Sequence, residues 1–564
     1  MTTPTTAERD ELMRELHRCW PGAQAHWSRF LLLREPGEDS CQPSVAQIDL
    51  RSRQVTVNAA MILKNDLGDT IEAILAHEVG HHVRFPATMQ TQARLRLLER
   101  TLVPFDDYSL INLFTDLMIN ERLGERLREP IVKVYRSFTA EPAFHSEARW
   151  KHDPAFLFYL GVYEELWGLE PGALMGSAAA AFGEIFPGYR ADARMLAENL
   201  FALGPNLYTQ FLYFLSVMVR YLAPPDQDQP QAGHSLQCGR GEPTPGEWAE
   251  AVTPSAGELE AIGRALKAGW FETDQAERLE QGTSAEDRIA GLPGFGTRAA
   301  TLVPEIMAAY YRQQAEHHLL RPPPQRRLGE LQVPTTLEEW ELGDPLRDID
   351  WVATFLLRGR ELGGALPVKR VKVAEEEGLE APLWQPRTEI YLDVSGSMPN
   401  PCFAINAMTL AAQILSTGTT RAGGWVRALL YSGAPLAFWE WTRSETEMSR
   451  FLMHYVGGGT DFPFGILDAS VKECAGDQPI RVIITDRDFD RNFDEHPENA
   501  GVISGAAARS PHLVLLLHAP SPERVARYRG LGASVVPVLE MDDFPRLAAD
   551  LTFALFPEES HGPV

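Results

Sequence analysis

His77 and His81 stand four residues apart in the stretch Ile71 to Val83, IEAILAHEVGHHV, with Glu78 directly after the first. On a helix that spacing puts both imidazoles on one face. Two neutral imidazoles so placed can bind one Zn²⁺. The carboxylate of Glu78 then lies within reach of a water activated by the ion, as general base and later as proton donor to a leaving amine. His82 falls on another face and is not expected among the ligands. The five-residue pattern alone arises by chance in many helices. Its setting strengthens it: Asp69 and Glu72 have capping-box spacing, which predicts a helix start near Thr70, and Pro86 predicts an end near Arg84 or Phe85.

A catalytic zinc needs a third protein ligand and an open position. Ser109 to Leu127 reads as a helix whose core face carries Leu110, Leu113, Phe114, Leu117, Met118 and Leu123. Asp116 lies amid that face, where an unpaired carboxylate is costly and a metal would offset the cost. Asn112 and Asn120 flank it at i−4 and i+4, well placed to orient ligands. Glu121 is the second choice, and Asp106 and Asp107 are weaker ones. The competing reading makes Asp116 a buried hydrogen-bonding residue.

A second cluster lies far downstream. Thr388 to Met398, TEIYLDVSGSM, reads as an apolar strand ending at Asp393, followed by Ser395 and Ser397. One carboxylate and two hydroxyls at a strand's C-terminal end suit Mg²⁺ or Mn²⁺. Thr460, after Gly457, Gly458 and Gly459, and Asp486, after the apolar run from Ile480, would add oxygens from separate loops. The glycine run lacks the Lys and Ser/Thr of a P-loop, so no ATPase activity is expected.

These residues need scaffolds of two kinds. Residues 1–222 read as mostly helical, with strand-like alternation between 44 and 59; 223–320 as linker and helix; 321–386 as a connector; and 387–564 as alternating strands and helices. In the last segment strands are predicted at 388–394, 425–432, 480–485, 512–518 and 533–539. Helices are predicted at 403–417, 445–455, 463–474, 521–531 and 543–556. That alternation implies a doubly wound α/β sheet with ligands at the strand C-terminal ends.

The chain has 564 residues, 44% of them hydrophobic and 23% charged, which excludes a wholly disordered or fibrous protein. A net charge of −25 argues against nucleic-acid or anionic-membrane partners. Five scattered cysteines with no CxxC support neither a disulfide framework nor a cysteine zinc site. The polar N-terminus lacks a signal-peptide core and no long apolar run follows, so a cytoplasmic protein is expected.

The paired helices resemble a family of bacterial HExxH metallopeptidases. Gluzincin-like enzymes draw their third ligand from a later helix, and in this family that helix has the form N-x-x-x-D-x-x-I-N, here Asn112, Asp116, Ile119 and Asn120. The resemblance covers about residues 45–130. It implies a zincin-like, mainly helical region with His77, His81 and Asp116 on zinc and Glu78 as base. The series Asp393, Ser395, Ser397, Thr460, Asp486 closely resembles the metal-ion-dependent adhesion site of von Willebrand factor A (VWA) domains, over about residues 388–560. It implies a Rossmann-like recognition domain whose Mg²⁺ binds an acidic side chain of a partner. Arg487 departs from the pattern, where many members have Gly. Trp340 to Trp351, WELGDPLRDIDW, resembles a motif preceding VWA-like domains in proteins encoded beside MoxR-type AAA+ ATPases, and so implies such a partner.

The leading expectation is therefore a zinc metallopeptidase acting on a protein or peptide, with a VWA domain that recruits substrate or regulator. A bacterial stress or anti-phage role is an extension of it. The alternative is a non-enzymatic VWA adaptor with a structural or vestigial zinc site, and a third reading is restrained autoprocessing. Tyr208, Tyr213 or His234 could stabilise an oxyanion. His317 and His318 read as surface helix.

Overall fold

A computed structural model describes residues 6–42, 44–103, 109–139, 154–222, 243–290, 299–319, 331–342, 344–358, 366–376, 385–474 and 476–556. The chain divides into two compact units, one of residues 1–310 with 399–405 and the other of residues 311–398 with 406–564.

In the first unit, helix α1 (Thr6–Ala25) precedes a small sheet of β1 (Gly37–Glu38), β2 (Ala46–Asp49) and β3 (Gln54–Val57). The alternation seen between residues 44 and 59 becomes the antiparallel pair β2–β3, with every second residue buried. The sheet order is β1-β3-β2, so β2 is an edge strand. Helices α2 (Ile71–Val83), α3 (Met89–Leu102) and α4 (Ile111–Thr139) follow, then α5 (Pro154–Trp167), α6 (Tyr189–Leu200), α7 (Leu207–Met218) and α8 (Ala256–Ala268). Leu75 and Val79 of α2, Phe114 and Leu117 of α4, Phe158 of α5, Phe214 of α7 and Ile262 of α8 share one core. The helices after residue 244 thus pack into the same core as those before 222. Buried Glu258 ties them in, pairing with Arg94 at 2.5 Å and Arg288 at 2.8 Å.

Helix α4 bends at Leu127 (φ −119°, ψ 19°), three residues before Pro130. Proline lacks the N–H that would continue the ladder and crowds the carbonyl one turn back, so the helix turns there. Its start is held by Glu99 of α3, which accepts from the Leu110 backbone N–H and from Ser109 Oγ at 3.3 Å.

The capping box expected of Asp69 and Glu72 does not form. Thr70 occupies the N-cap of α2 without a side-chain cap. Asp69 instead meets Lys133 at 2.6 Å, and Glu72 meets His26 at 2.8 Å; contacts to other elements have outcompeted the local one. The helix ends at Val83 with Arg84 as C-cap, as Pro86 requires.

Gly80 is needed between the two histidine turns. A Cβ there would lie 2.5 Å from Trp27 Cζ2 and 2.9 Å from Ile119 Cγ2. Trp27 reaches this notch to donate to the Ala76 carbonyl at 2.7 Å. Gly80→Ala should therefore lower stability by about 1–3 kcal/mol, read from the urea midpoint.

The second unit contains an antiparallel ribbon of β4 (Leu331–Glu339) and β5 (Val368–Glu376). The described part of the WELGDPLRDIDW motif folds onto it: the Asp350 N–H donates to the Val368 carbonyl at 2.8 Å, and Lys369 pairs with Asp344 at 2.6 Å. Then come β6 (Arg387–Asp393), α9 (Ala407–Arg421), β7 (Trp425–Tyr431), β8 (Leu436–Thr442), α10 (Phe464–Glu473), β9 (Ile480–Thr485), α11 (Asn499–Arg509), β10 (Leu513–His518), α12 (Pro522–Gly530), β11 (Ser534–Val538) and α13 (Phe544–Leu555). The sheet order is β11-β10-β9-β6-β7-β8. All pairs are parallel except β7–β8. Neighbours on β6, such as Tyr391 and Leu392, are both buried, so both sheet faces are covered.

Three differences from the sequence expectation stand out, one of them helix α11, which lies where no element is predicted. Helix α9 begins at Ala407 rather than 403, because Asn406 caps it by accepting from the Met408 and Thr409 N–H groups. The stretch 436–442 forms an antiparallel edge strand that its mixed pattern does not announce. Trp439 and Trp441 of β8 lie over the Arg427 guanidinium at 3.9 and 4.5 Å.

The chain builds β6 first, adds β7 and β8 on one side, then crosses to place β9, β10 and β11 on the other. The reversal falls between β6 and β9. In open α/β sheets, crevices beyond the carboxyl ends of strands at such a reversal bind ligands.

Candidate metal centres

Helices α2 and α4 converge at His77, His81 and Asp116. The two Nε2 atoms are 3.2 Å apart. Asp116 Oδ1 lies 3.3 Å from His81 Nε2 and 3.6 Å from His77 Nε2. Among the described residues, this is the one His/Cys/Asp/Glu group of three with metal-ligand proximity. For three atoms so spaced there is a point about 2 Å from each, the length of a Zn–N or Zn–O bond. Two imidazoles and one carboxylate are also the donor set of catalytic zinc sites. The residues present therefore fit the ion.

The other ring nitrogens are held as ligating histidines require. With Nδ1 carrying the proton, His77 donates to Asn120 Oδ1 at 2.7 Å and His81 donates to the Phe85 carbonyl at 2.9 Å. Both tautomers then aim an Nε2 lone pair at Asp116. Burial would raise the Asp116 carboxyl, but the neighbouring His77 and His81 reverse this and hold it well below the usual carboxylate range. Burial opposes charge on His77, yet Asp116, helped by Glu78 and Asn120, holds its ring above the ordinary value.

Asn120 belongs to a buried polar chain that the sequence did not reveal. Its Nδ2 donates to Tyr163 at 2.8 Å and to Tyr135 at 3.1 Å, and Tyr159 and Tyr163 hydroxyls are 3.0 Å apart. Burial pushes the three phenols up, so they stay protonated. Tyr135 follows Asn120 by fifteen positions, about 22 Å along a straight helix, so the contact depends on the bend at Leu127 and no spacing announced it. Asn120→Leu should cut zinc affinity about 10–100-fold by freeing the His77 ring, measured by chelator competition.

These residues open onto a cleft of about 580 Å³. Its polar end is His77, Glu78, Asp116 and Asn120. Ala73 and Ile74, one turn before the ligands on α2, continue it, and Val45 and Ala46 border it from the start of β2. Beyond the bend, Ile131, Val134, Tyr135 and Phe138 of α4 form its wall. Glu78 is buried at 4% exposure beside the ligand set.

Glu121 lies outside the cluster and is half-buried; burial and Glu125 push its carboxyl up. Asp106 and Asp107 lie outside the described residues, as does His234. Tyr208 and Tyr213 do not line the cleft; Tyr208 packs near Gly257 and Tyr213 against Trp270. His317 is exposed on its helix.

In the second unit, Asp393 ends β6 and Asp486 follows β9, the neighbouring strands at the reversal. Ser397 Oγ donates to Asp486 at 2.8 Å and lies 3.1 Å from Ser395 Oγ. Asp393 accepts from the Ser395 N–H at 3.0 Å and from Thr485 at 2.9 Å. Burial pushes the Asp393 carboxyl up to about 6; the Ser395 hydrogen bonds oppose this and the Asp486 charge adds to it. Two carboxylates and two hydroxyls packed this closely fit a hard divalent cation, which would offset the repulsion. Thr460 reaches the same edge on a glycine loop stitched to the Asp393 loop: Gly396 N–H donates to Gly458 at 2.9 Å, and Gly457 N–H to Val394 at 3.1 Å. Gly457 and Gly458 take positive φ (69° and 99°) that other residues disfavour. Asn492, unforeseen from the sequence, holds the Thr460 carbonyl at 2.8 Å. Arg487 is exposed, and the Asp486 side chain accepts from the Asp488 N–H at 2.8 Å.

No family model matches the chain, and no curated protein matches it. Among solved structures it is similar to a von Willebrand factor type A from Catenulispora acidiphila, at 14% identity and a TM-score of 0.23. The match covers 31% of this chain and 43% of that one, so this chain spans less than half the length of that structure. No described helix is long and apolar enough to cross a membrane.

Proposed function

We propose that the chain is a zinc-dependent peptidase whose second unit is a VWA-like recognition domain with Mg²⁺ or Mn²⁺ on Asp393, Ser395, Ser397, Thr460 and Asp486. The observation that carries the peptidase reading is the convergence of His77, His81 and Asp116 at ligand spacing, with Glu78 lining the same cleft. Zinc, when bound, polarises a carbonyl and brings the pKa of water to about 7. Glu78 takes the proton of the attacking water and passes it to the leaving amine. Asn120 and the Phe85 carbonyl hold the two imidazoles in the ligating tautomer. The neighbouring His77 and His81 keep the buried Asp116 carboxylate ionised. In the recognition unit, Asp393, Ser395, Ser397, Thr460 and Asp486 would hold the ion, which would supply a positive charge for an acidic side chain of a substrate or regulator. A MoxR-type AAA+ ATPase is the proposed partner.

Wild-type protein should contain zinc by elemental analysis and cleave a broad peptide mixture. Activity should vanish on chelation and return with zinc. Asp393→Ala should keep the zinc and lose Mg²⁺-dependent partner binding. Zinc-loaded protein that cleaves nothing, with or without an AAA+ partner, would instead favour the adaptor reading, in which the second unit does the work.

A further inference from the structure

We infer that the cleft beside the ligand cluster is a specificity pocket for one bulky apolar side chain, so that the substrates are peptides with a large aliphatic or aromatic residue next to the scissile bond. This rests on the peptidase reading for the words "scissile bond", and on the cleft alone for the rest.

The cleft is divided by chemistry. Its charged and hydrogen-bonding groups are gathered at one end, where the ligand cluster lies. Away from that end the described lining is apolar apart from Tyr135, whose hydroxyl is bonded to Asn120: Ala73 and Ile74 from α2, Ala46 from β2, and Ile131, Val134 and Phe138 from α4. Positions 131, 134 and 138 recur at helical spacing, so the wall is one face of the second arm of α4. No Lys or Arg is among the lining residues. A charged side chain entering would lose water and meet no counterion, whereas an aliphatic or aromatic one loses only unfavourable hydration. The occupant is a peptide side chain rather than a free apolar molecule, because the apolar part is continuous with groups suited to an amide.

The test is equilibrium binding to zinc-loaded, full-length Glu78→Gln protein, which holds peptides without turning them over. The probes are fluorescent peptides Ala-Ala-X-Ala-Ala with X as Leu, Phe, Gly, Asp or Lys. Leu and Phe peptides should bind at least about tenfold tighter than the Asp, Lys or Gly peptides. Adding Val134→Phe should narrow the pocket and weaken the Phe peptide most. Adding Phe138→Ala should widen it and favour Phe over Leu. Both positions are half-buried, and circular dichroism checks that each variant is folded. Equal binding of all five peptides, tighter binding of Asp or Lys, or a selectivity unmoved by both wall variants overturns the inference. So does tight binding of decanoate with no peptide binding. Selective, wall-dependent binding by a protein whose wild type cleaves nothing upholds the pocket and removes the peptidase reading.

Discussion

Glu78→Gln should reduce peptide hydrolysis by at least about a hundredfold while leaving the zinc content unchanged. Glutamine keeps the shape and one oxygen of the side chain but cannot accept the water's proton. The three proposed ligands come from other side chains, so the ion should stay. A kinetic assay on any cleaved peptide, with elemental analysis of the same sample, separates the two quantities. Equal hydrolysis by the variant would remove Glu78 as base. Parallel loss of zinc would show that Glu78 supports the ion rather than the proton transfer.

Asp116→Ala should lose zinc outright, with an affinity drop larger than the about 10–100-fold expected for a partner behind a ligand. Two imidazoles alone leave the set one protein ligand short, and among the described residues Glu121 is not part of the cluster. The histidines would also lose the negative charge that raises the His77 pKa, so that pKa should fall in the metal-free variant, observable by NMR titration. Retention of stoichiometric zinc by Asp116→Ala would return Asp116 to a structural role. Glu121→Ala serves as the control and should keep zinc.

The legible parts of the site were those set by short spacings. His77, Glu78 and His81 lie within five residues of one helix, so helical geometry alone puts the imidazoles on one face. Asp116 was legible because an acid amid Phe114, Leu117 and Met118 needs a reason to be there. The order of Asp393, Ser395, Ser397, Thr460 and Asp486 pointed to one sheet edge, since apolar runs ended at the first and last of them. Tyr135, Tyr159, Tyr163 and Asn492 were not legible, because their roles depend on which helices pack together. The Asp69–Glu72 cap failed for the same reason: Lys133 and His26 come from distant segments. Strand β8 was hidden because its partner, a buried Arg427 pairing with Glu389 at 2.5 Å, invites tryptophans where a simple alternation would not.

The bend at Leu127 has a consequence for how this molecule can diversify. One arm of α4 carries Asp116 and Asn120, and the other carries Ile131, Val134 and Phe138. Replacements at those three far-arm positions can therefore change what is admitted without disturbing the reacting groups, whereas Tyr135 on the same arm is tied to Asn120. A lineage can alter its diet while keeping its teeth.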